Sequence, residues 1–234
     1  MQIAILTFNG FNELDSLIPL GILNRMKKQD WRMSIASPTP RVTSMNGLVL
    51  QAQVTLAEAM QADAVVVGSG SKTREVVATP WLMDQLKFDP QRQLLAAHCS
   101  GTLVLAKLVL LNIAPACTDL LTKPWVQEAG VEVLNEPFFA RDNVATAGGC
   151  LAGWLIARLE GMAVACDAML YVPPVGENEQ YIDRMVRNIT PYLSSLLASE
   201  QPSEFGKATS ALGRAQPVKT GRNRPTAEFA PPSG

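Results

Sequence analysis

Residues 93–111 read QLLAAHCSGTLVLAKLVLL, and this stretch decides the fold. Its first half, Gln93 to His98, is a short run of apolar and small residues, the pattern of a strand buried on both faces. Its second half, Ser100 to Leu110, carries apolar residues at helical spacing. Between them stands Cys99, with the small Ala97 two residues before it and Gly101 two residues after. Small neighbours of this kind permit the abrupt strand-to-helix turn of a nucleophile elbow. A thiol at such a turn faces the N-terminus of the following helix. The unpaired N–H groups there favour the thiolate, so the sequence predicts a lowered pKa and the most reactive of the four cysteines.

Working outward, the same alternation recurs. Gln2 to Phe8 reads as a strand, Leu14 to Met26 as a helix, Trp31 to Ala36 as a strand closed by SPTP, and Leu48 to Gln53 as another short strand before the helical TLAEAMQ. Ala64 to Val67 is a buried strand ending in the turn Gly68-Ser69-Gly70-Ser71, followed by the helical KTREVV and a second amphipathic piece after Pro80. In the second half, PFFARDNVATAGG predicts a hairpin turning at Arg141-Asp142-Asn143, leading into a helix from Cys150 to Glu160. Glu177 to Leu197 predicts a final long helix. Strands that alternate with helices and are apolar on both faces imply an α/β fold, a doubly wound and mostly parallel sheet with helices on both sides.

The bulk properties limit the function classes. The chain has 234 residues, 47% of them apolar, enough for one compact domain with a large core. A formal charge of -1 provides no basic field for nucleic acid or an anionic membrane, so a small-molecule partner is expected. The opening MQIAILTFNG has no basic n-region and too short an apolar run for a signal peptide or a span, which predicts a cytoplasmic protein. The four cysteines form no CxxC pair and His98 is the only histidine, so no metal and no cofactor are expected. Beyond Ser199 the composition turns to Pro, Gly, Ser and Thr, with five basic and three acidic residues. Residues 1–198 are therefore read as the α/β domain and 199–234 as a disordered tail.

In an open parallel sheet, ligands bind beyond the carboxyl ends of the strands. Three segments fall there: the turn after the first strand with Asp15, the Gly68-Ser69-Gly70 turn, and Ala97 to Gly101. AAHCSGTLVLAKLVLL (96–111), with FNELDSLIPLGIL (11–23) upstream and DNVATAGGCLAGWLIARLEG (142–161) downstream, resembles the ThiJ/PfpI superfamily, within the class I glutamine amidotransferase-like, flavodoxin-like fold. The branch it most resembles holds the isonitrile hydratases and the amidotransferase-like domains of AraC-type regulators. The resemblance spans roughly Gln2 to Met162, carried by the order and spacing of several motifs.

The resemblance implies that Cys99 is the nucleophile and Asp15 the acidic residue that contacts it. It implies that Ser100 offers its backbone N–H, and often its hydroxyl, to substrate, and that the Gly70 N–H helps form an anion pocket. It also implies a homodimer. Each residue has a plainer reading beside it. Asp15 is equally suited to capping the helix that begins at Ser16. His98 lies next to Cys99, but neighbours on a strand point to opposite faces, which favours a buried structural role. Asp119 occupies the place where many relatives carry a histidine near the cysteine, and it reads by default as a surface residue in a shifted loop. Without that histidine a Cys-His dyad has no second member, which disfavours peptidase and glutaminase chemistry. Cys150, after Gly148-Gly149, is either a pocket-lining or resolving thiol or a core residue.

The expected function is a lyase resembling isonitrile hydratase, in which the Cys99 thiolate attacks an electrophilic carbon, Asp15 supplies a proton, and Ile18 and Trp154 form an apolar wall. Its rivals are a glyoxalase or deglycase acting on small carbonyl compounds and a non-enzymatic redox sensor or ligand-binding module. No helix-turn-helix pattern follows the domain, which argues against direct DNA binding.

Overall fold

The computed structural model of the protein describes residues 1–111, 114–147 and 149–193. The sheet grows from β1 (Gln2–Leu6), whose four residues from Ile3 to Leu6 are buried on both faces. β2 (Arg32–Ala36) pairs with it on one side and β5 (Ala64–Val67) on the other, both parallel, with Ile3 opposite Met33 and Ala64. β6 (Leu94–His98) continues the parallel ladder beside β5, and β8 (Val144–Ala147) lies beside β6. β7 (Phe138–Arg141) closes the edge antiparallel to β8, giving the order β2-β1-β5-β6-β8-β7. The chain leaves β1 to one side and returns on the other, so the crevice of a doubly wound sheet opens over the carboxyl ends of β1, β5 and β6. This is the mostly parallel α/β architecture expected from the alternation.

Two apolar layers sandwich the sheet. Ile3, Ile5, Leu94 and Ala96 face the layer formed with α1 (Glu13–Leu23), α7 (Leu151–Glu160), α8 (Met162–Met169) and α9 (Asn178–Ile189). Their strand neighbours Ala4, Leu6, Leu95 and Ala97 face the other, which takes in α2 (Leu56–Ala59), α3 (Thr73–Val77), α4 (Pro80–Met83), α5 (Gly101–Lys107) and α6 (Lys123–Glu128). The two-residue period of the strands thus sorts side chains between the layers.

Several expected elements are reshaped. The first helix ends at Leu23 and tightens into a 3-10 turn over Asn24–Met26, and its cap is Asn12, whose side chain accepts the N–H of Leu14 at 3.1 Å. Asp15 is therefore a residue of the first turn and not the cap. The strand around Leu50 does not join the main sheet: β4 (Val49–Gln51) forms a small hairpin with β3 (Arg41–Thr43), for which the sequence held no clear pattern. The helices α6 and α8 were likewise not anticipated. The β7–β8 hairpin turns on Asp142 and Asn143, with Arg141 and Val144 paired across it and Asp142 at φ 53°. The last helix stops at Ile189, where Thr190–Tyr192 continues as a 3-10 turn containing Pro191. The expected end of that helix, the 198/199 domain boundary and the tail lie outside the described residues. Among the described residues no helix is long and apolar enough to cross a membrane.

Candidate active site

β6 enters α5 through two residues, Cys99 and Ser100, with Cys99 held at φ 42°. A non-glycine residue in the left-handed region costs on the order of 1–3 kcal/mol and persists only where its surroundings over-determine it. Here they do. The Cys99 N–H donates to the Ala147 carbonyl at 3.0 Å, and the Cys99 carbonyl accepts the Thr118 hydroxyl at 2.7 Å and the Thr102 N–H at 3.1 Å. Gly101 makes the turn possible, because a Cβ there would stand 2.4 Å from the Val67 carbonyl oxygen. The elbow read from the sequence is formed, with its thiol half-buried.

Asp15 reaches the elbow from the first turn of α1 and is 9% exposed. Its Oδ2 accepts hydrogen bonds from the Ser69 hydroxyl and, at 3.3 Å, from Asn12 Nδ2. Neither Ser69 nor the cap Asn12 was singled out in the sequence, although an Asn just ahead of a helix is a strong capping signal. The carboxylate lies close enough to raise the pKa of the Cys99 thiol. Burial is the largest influence on that thiol, followed by Asp15 and then Asp119, and all of them push its pKa up. These influences run opposite to the lowering expected from the N-terminus of α5, which has only seven residues. The other thiols are raised too, Cys117 to about 11 by burial first and Glu136 second.

His98 is buried, 6% exposed, and its Nδ1 stands 3.9 Å from Asp15 Oδ1. Strand alternation places it with Leu94 and Ala96 on the layer shared with α1, the element that carries Asp15. Ser100 and Gly70 meet each other. The Gly70 N–H donates to the Ser100 hydroxyl at 3.0 Å, and that hydroxyl also pairs with the Thr73 hydroxyl at 2.8 Å. The Gly70 N–H, for which the resemblance implies a place in an anion pocket, is engaged here with the Ser100 hydroxyl. Gly70 is required for close approach, since a Cβ would stand 2.5 Å from the Gly10 carbonyl oxygen.

Asp119 is half-buried with Oδ1 turned back to its own loop, accepting the N–H groups of Leu121 at 2.9 Å and Thr122 at 3.0 Å. Through Oδ1 it anchors the turn into α6. Thr118, beside it, is the residue of this loop that touches the elbow; a contact 19 residues distant in the chain left no local signal. Cys150 sits at φ 54° as the N-cap of α7 and packs against the first core layer. Burial raises its thiol, and the groups that counter this, Asn188 and Arg184, belong to α9. Trp154 is fully buried against Phe138 at a ring separation of 6.2 Å, so it is core and no pocket wall, whereas Ile18 is 46% exposed. Among the described residues no group of three or more His, Cys, Asp or Glu is arranged to hold a metal.

The architecture is shared with solved structures. A ThiJ/PfpI family protein from Pseudomonas syringae superposes with a TM-score of 0.66 at 18% identity, covering 82% of this chain and 87% of that one. A DJ-1 superfamily protein from Salmonella typhimurium does so with 0.62 at 24% identity, covering 74% and 99%. An AraC family transcriptional regulator from Pseudomonas putida matches with 0.60 at 17% identity, covering 71% and 96%. At these identities the likeness concerns the fold. No curated protein sequence matches the chain. The DJ-1/PfpI family model matches residues 1–158, the segment that contains β1, the Asp15 turn and the Cys99 elbow, and the chain belongs to the DJ-1/PfpI family.

Proposed function

We propose that the protein is a cysteine-dependent enzyme of the isonitrile hydratase type, with Cys99 as nucleophile and Asp15 as the group that moves the proton. The observation that carries this reading is the placement of the Asp15 carboxylate at the backbone-strained Cys99 elbow, 3.9 Å from the ring of the adjacent His98, with Ser69 and Asn12 orienting it. A thiol held protonated beside a carboxylate suits attack coupled to proton transfer.

As sulfur bonds to the terminal isonitrile carbon, the thiol proton passes to Asp15. Asp15 returns it to that same carbon, leaving a thioimidate on Cys99. Water adds to the carbon and the C–S bond breaks. The sulfur recovers a proton and the nitrogen keeps the other, so isonitrile plus water becomes an N-substituted formamide with no net redox change. The Ser100 backbone N–H, at the entry to α5, is the polar contact in this scheme, while Gly70 supports it through the Ser100 hydroxyl. Ile18, exposed on α1, is the candidate apolar contact. The homodimer implied by the resemblance is part of the same proposal, and sedimentation at working concentration tests it.

The deciding experiment supplies an alkyl isonitrile and methylglyoxal to wild type, Cys99→Ala and Asp15→Asn. Formamide formed by wild type and abolished in Cys99→Ala supports the reading. Glyoxal loss without formamide transfers the site to small carbonyl compounds. Formamide that persists in Cys99→Ala removes the nucleophile.

A further inference from the structure

We propose that His98 is a positioning residue for Asp15, a neutral imidazole whose Nδ1–H is directed at Asp15 Oδ1 and fixes the carboxylate's orientation towards the Cys99 thiol. The inference rests on the thiol-carboxylate pair described above and adds a third member to it.

Three observations carry it. First, strand alternation places His98 with Leu94 and Ala96 in the layer under α1 and α7, the side from which Asp15 approaches. Second, both ring nitrogens are buried and neither has a hydrogen-bond partner among the described residues. Leaving a buried polar group unpaired costs about 1–3 kcal/mol, so packing alone favours an apolar residue here. Third, Nδ1 stands 3.9 Å from Asp15 Oδ1, just beyond hydrogen-bond range and within reach of a small side-chain rotation. The other carboxylate oxygen is already held by Ser69 and Asn12. Donors on Oδ2 and an imidazole on Oδ1 together leave the carboxylate no free rotation.

The imidazole acts as a dipole and not as a charge. Burial holds His98 below its ordinary pKa, against the opposing pull of Asp15, the charged group that faces it from α1. From beyond the strand end, Cys99 faces the same carboxylate and is in turn influenced by Asp119. A neutral N–H donated to Asp15 spreads the carboxylate's charge and eases its opposition to the thiolate.

Because His98 is the only histidine, long-range 1H–15N NMR of the untagged full chain reads it without ambiguity. The expected spectrum at pH 7.5 is a neutral Nδ1–H tautomer whose resonances move in Asp15→Asn. An Nε2–H tautomer, an imidazolium, or resonances indifferent to Asp15→Asn overturns the proposal, and this measurement needs no His98 variant to fold.

The second measurement is the iodoacetamide rate at Cys99, resolved by peptide mapping between pH 8 and 10. His98→Leu should slow it about fivefold or more, the loss of a hydrogen bond to a charged group. His98→Asn keeps an N–H near the Nδ1 position and should stay within about twofold of wild type. Asp15→Asn should accelerate it. A rate in His98→Leu equal to wild type, with Asp15→Asn accelerated, overturns the role of His98 alone. A rate unchanged in Asp15→Asn removes the thiol-carboxylate pair itself and this proposal with it.

Discussion

The Ser100 hydroxyl accepts the Gly70 N–H at 3.0 Å, joining the turn after β5 to the entry of α5 beneath the thiol. The bond is part-buried, and a buried one to Thr73 extends it, so the two carboxyl-end turns nearest Cys99 form one hydrogen-bonded frame. Ser100→Ala leaves the Gly70 N–H unpaired, and urea unfolding should show a loss of about 1–3 kcal/mol. An unchanged unfolding midpoint would show that the frame is dispensable.

Gly101→Ala should be worse. A Cβ 2.4 Å from the Val67 carbonyl and 2.9 Å from that of Gly68 meets backbone on two sides, which no rotamer relieves. Overpacking of this kind costs typically 1–3 kcal/mol, here with displacement of the elbow. Thermal unfolding reads the loss of stability, and alkylation of Cys99 reads the displacement.

Asp15→Asn separates chemistry from folding, because the cap of α1 is Asn12 and not Asp15. The thermal midpoint should change little. Turnover of an isonitrile should fall on the order of a hundredfold, as for loss of a positioned proton donor. The same substitution should speed alkylation at Cys99, since a charge that raises the thiol pKa is gone. A parallel fall in both rates would mean that Asp15 only shapes the turn.

Acid should destabilise the protein in two stages. The folded pKa of His98 lies below its ordinary value of 6.5, so the unfolded chain binds more protons as pH falls through 6.5, and stability declines from there. Glu13 and Glu58 are lowered by hydrogen bonds with Ser44 and Thr55, so their contribution is present above 4.5 and is lost further down. Urea midpoints between pH 8 and 4 should show the first stage in wild type and not in His98→Asn. Retention of that stage in the variant assigns it elsewhere.

We propose that residues 199–234 contribute nothing to the stability of the domain, on composition alone. Truncation after Ala198 should leave the thermal midpoint unchanged. A marked drop would show that the segment packs on the domain or across a partner.

How much of this was legible depends on the range of each interaction. The doubly wound architecture, the elbow at Cys99 and the nearness of Asp15 to the carboxyl end of β1 follow from local patterns: apolar runs, helical spacing, and a cysteine flanked by Ala97 and Gly101. Such patterns act within a few residues, so the linear chain displays them. The small hairpin of β3 and β4, by contrast, forms against the loop after β1, and α8 depends on packing against α7; neither has a strong period of its own.

The site divides in the same way. The sequence by itself determined that a cysteine would sit at a strained strand-to-helix turn, with an acidic residue, Asp15, after the first strand. Only the tertiary structure decided the state of that thiol, because burial and the charges of Asp15 and Asp119 are sums over segments up to 84 residues apart in the numbering of Asp15 and Cys99. It likewise decided that Ser69 orients Asp15, that Thr118 holds the Cys99 carbonyl, and that His98 faces a carboxylate. Desolvation and hydrogen-bond geometry exist only once distant segments meet, and it is there that the Cys99 thiol comes under influences that raise its pKa.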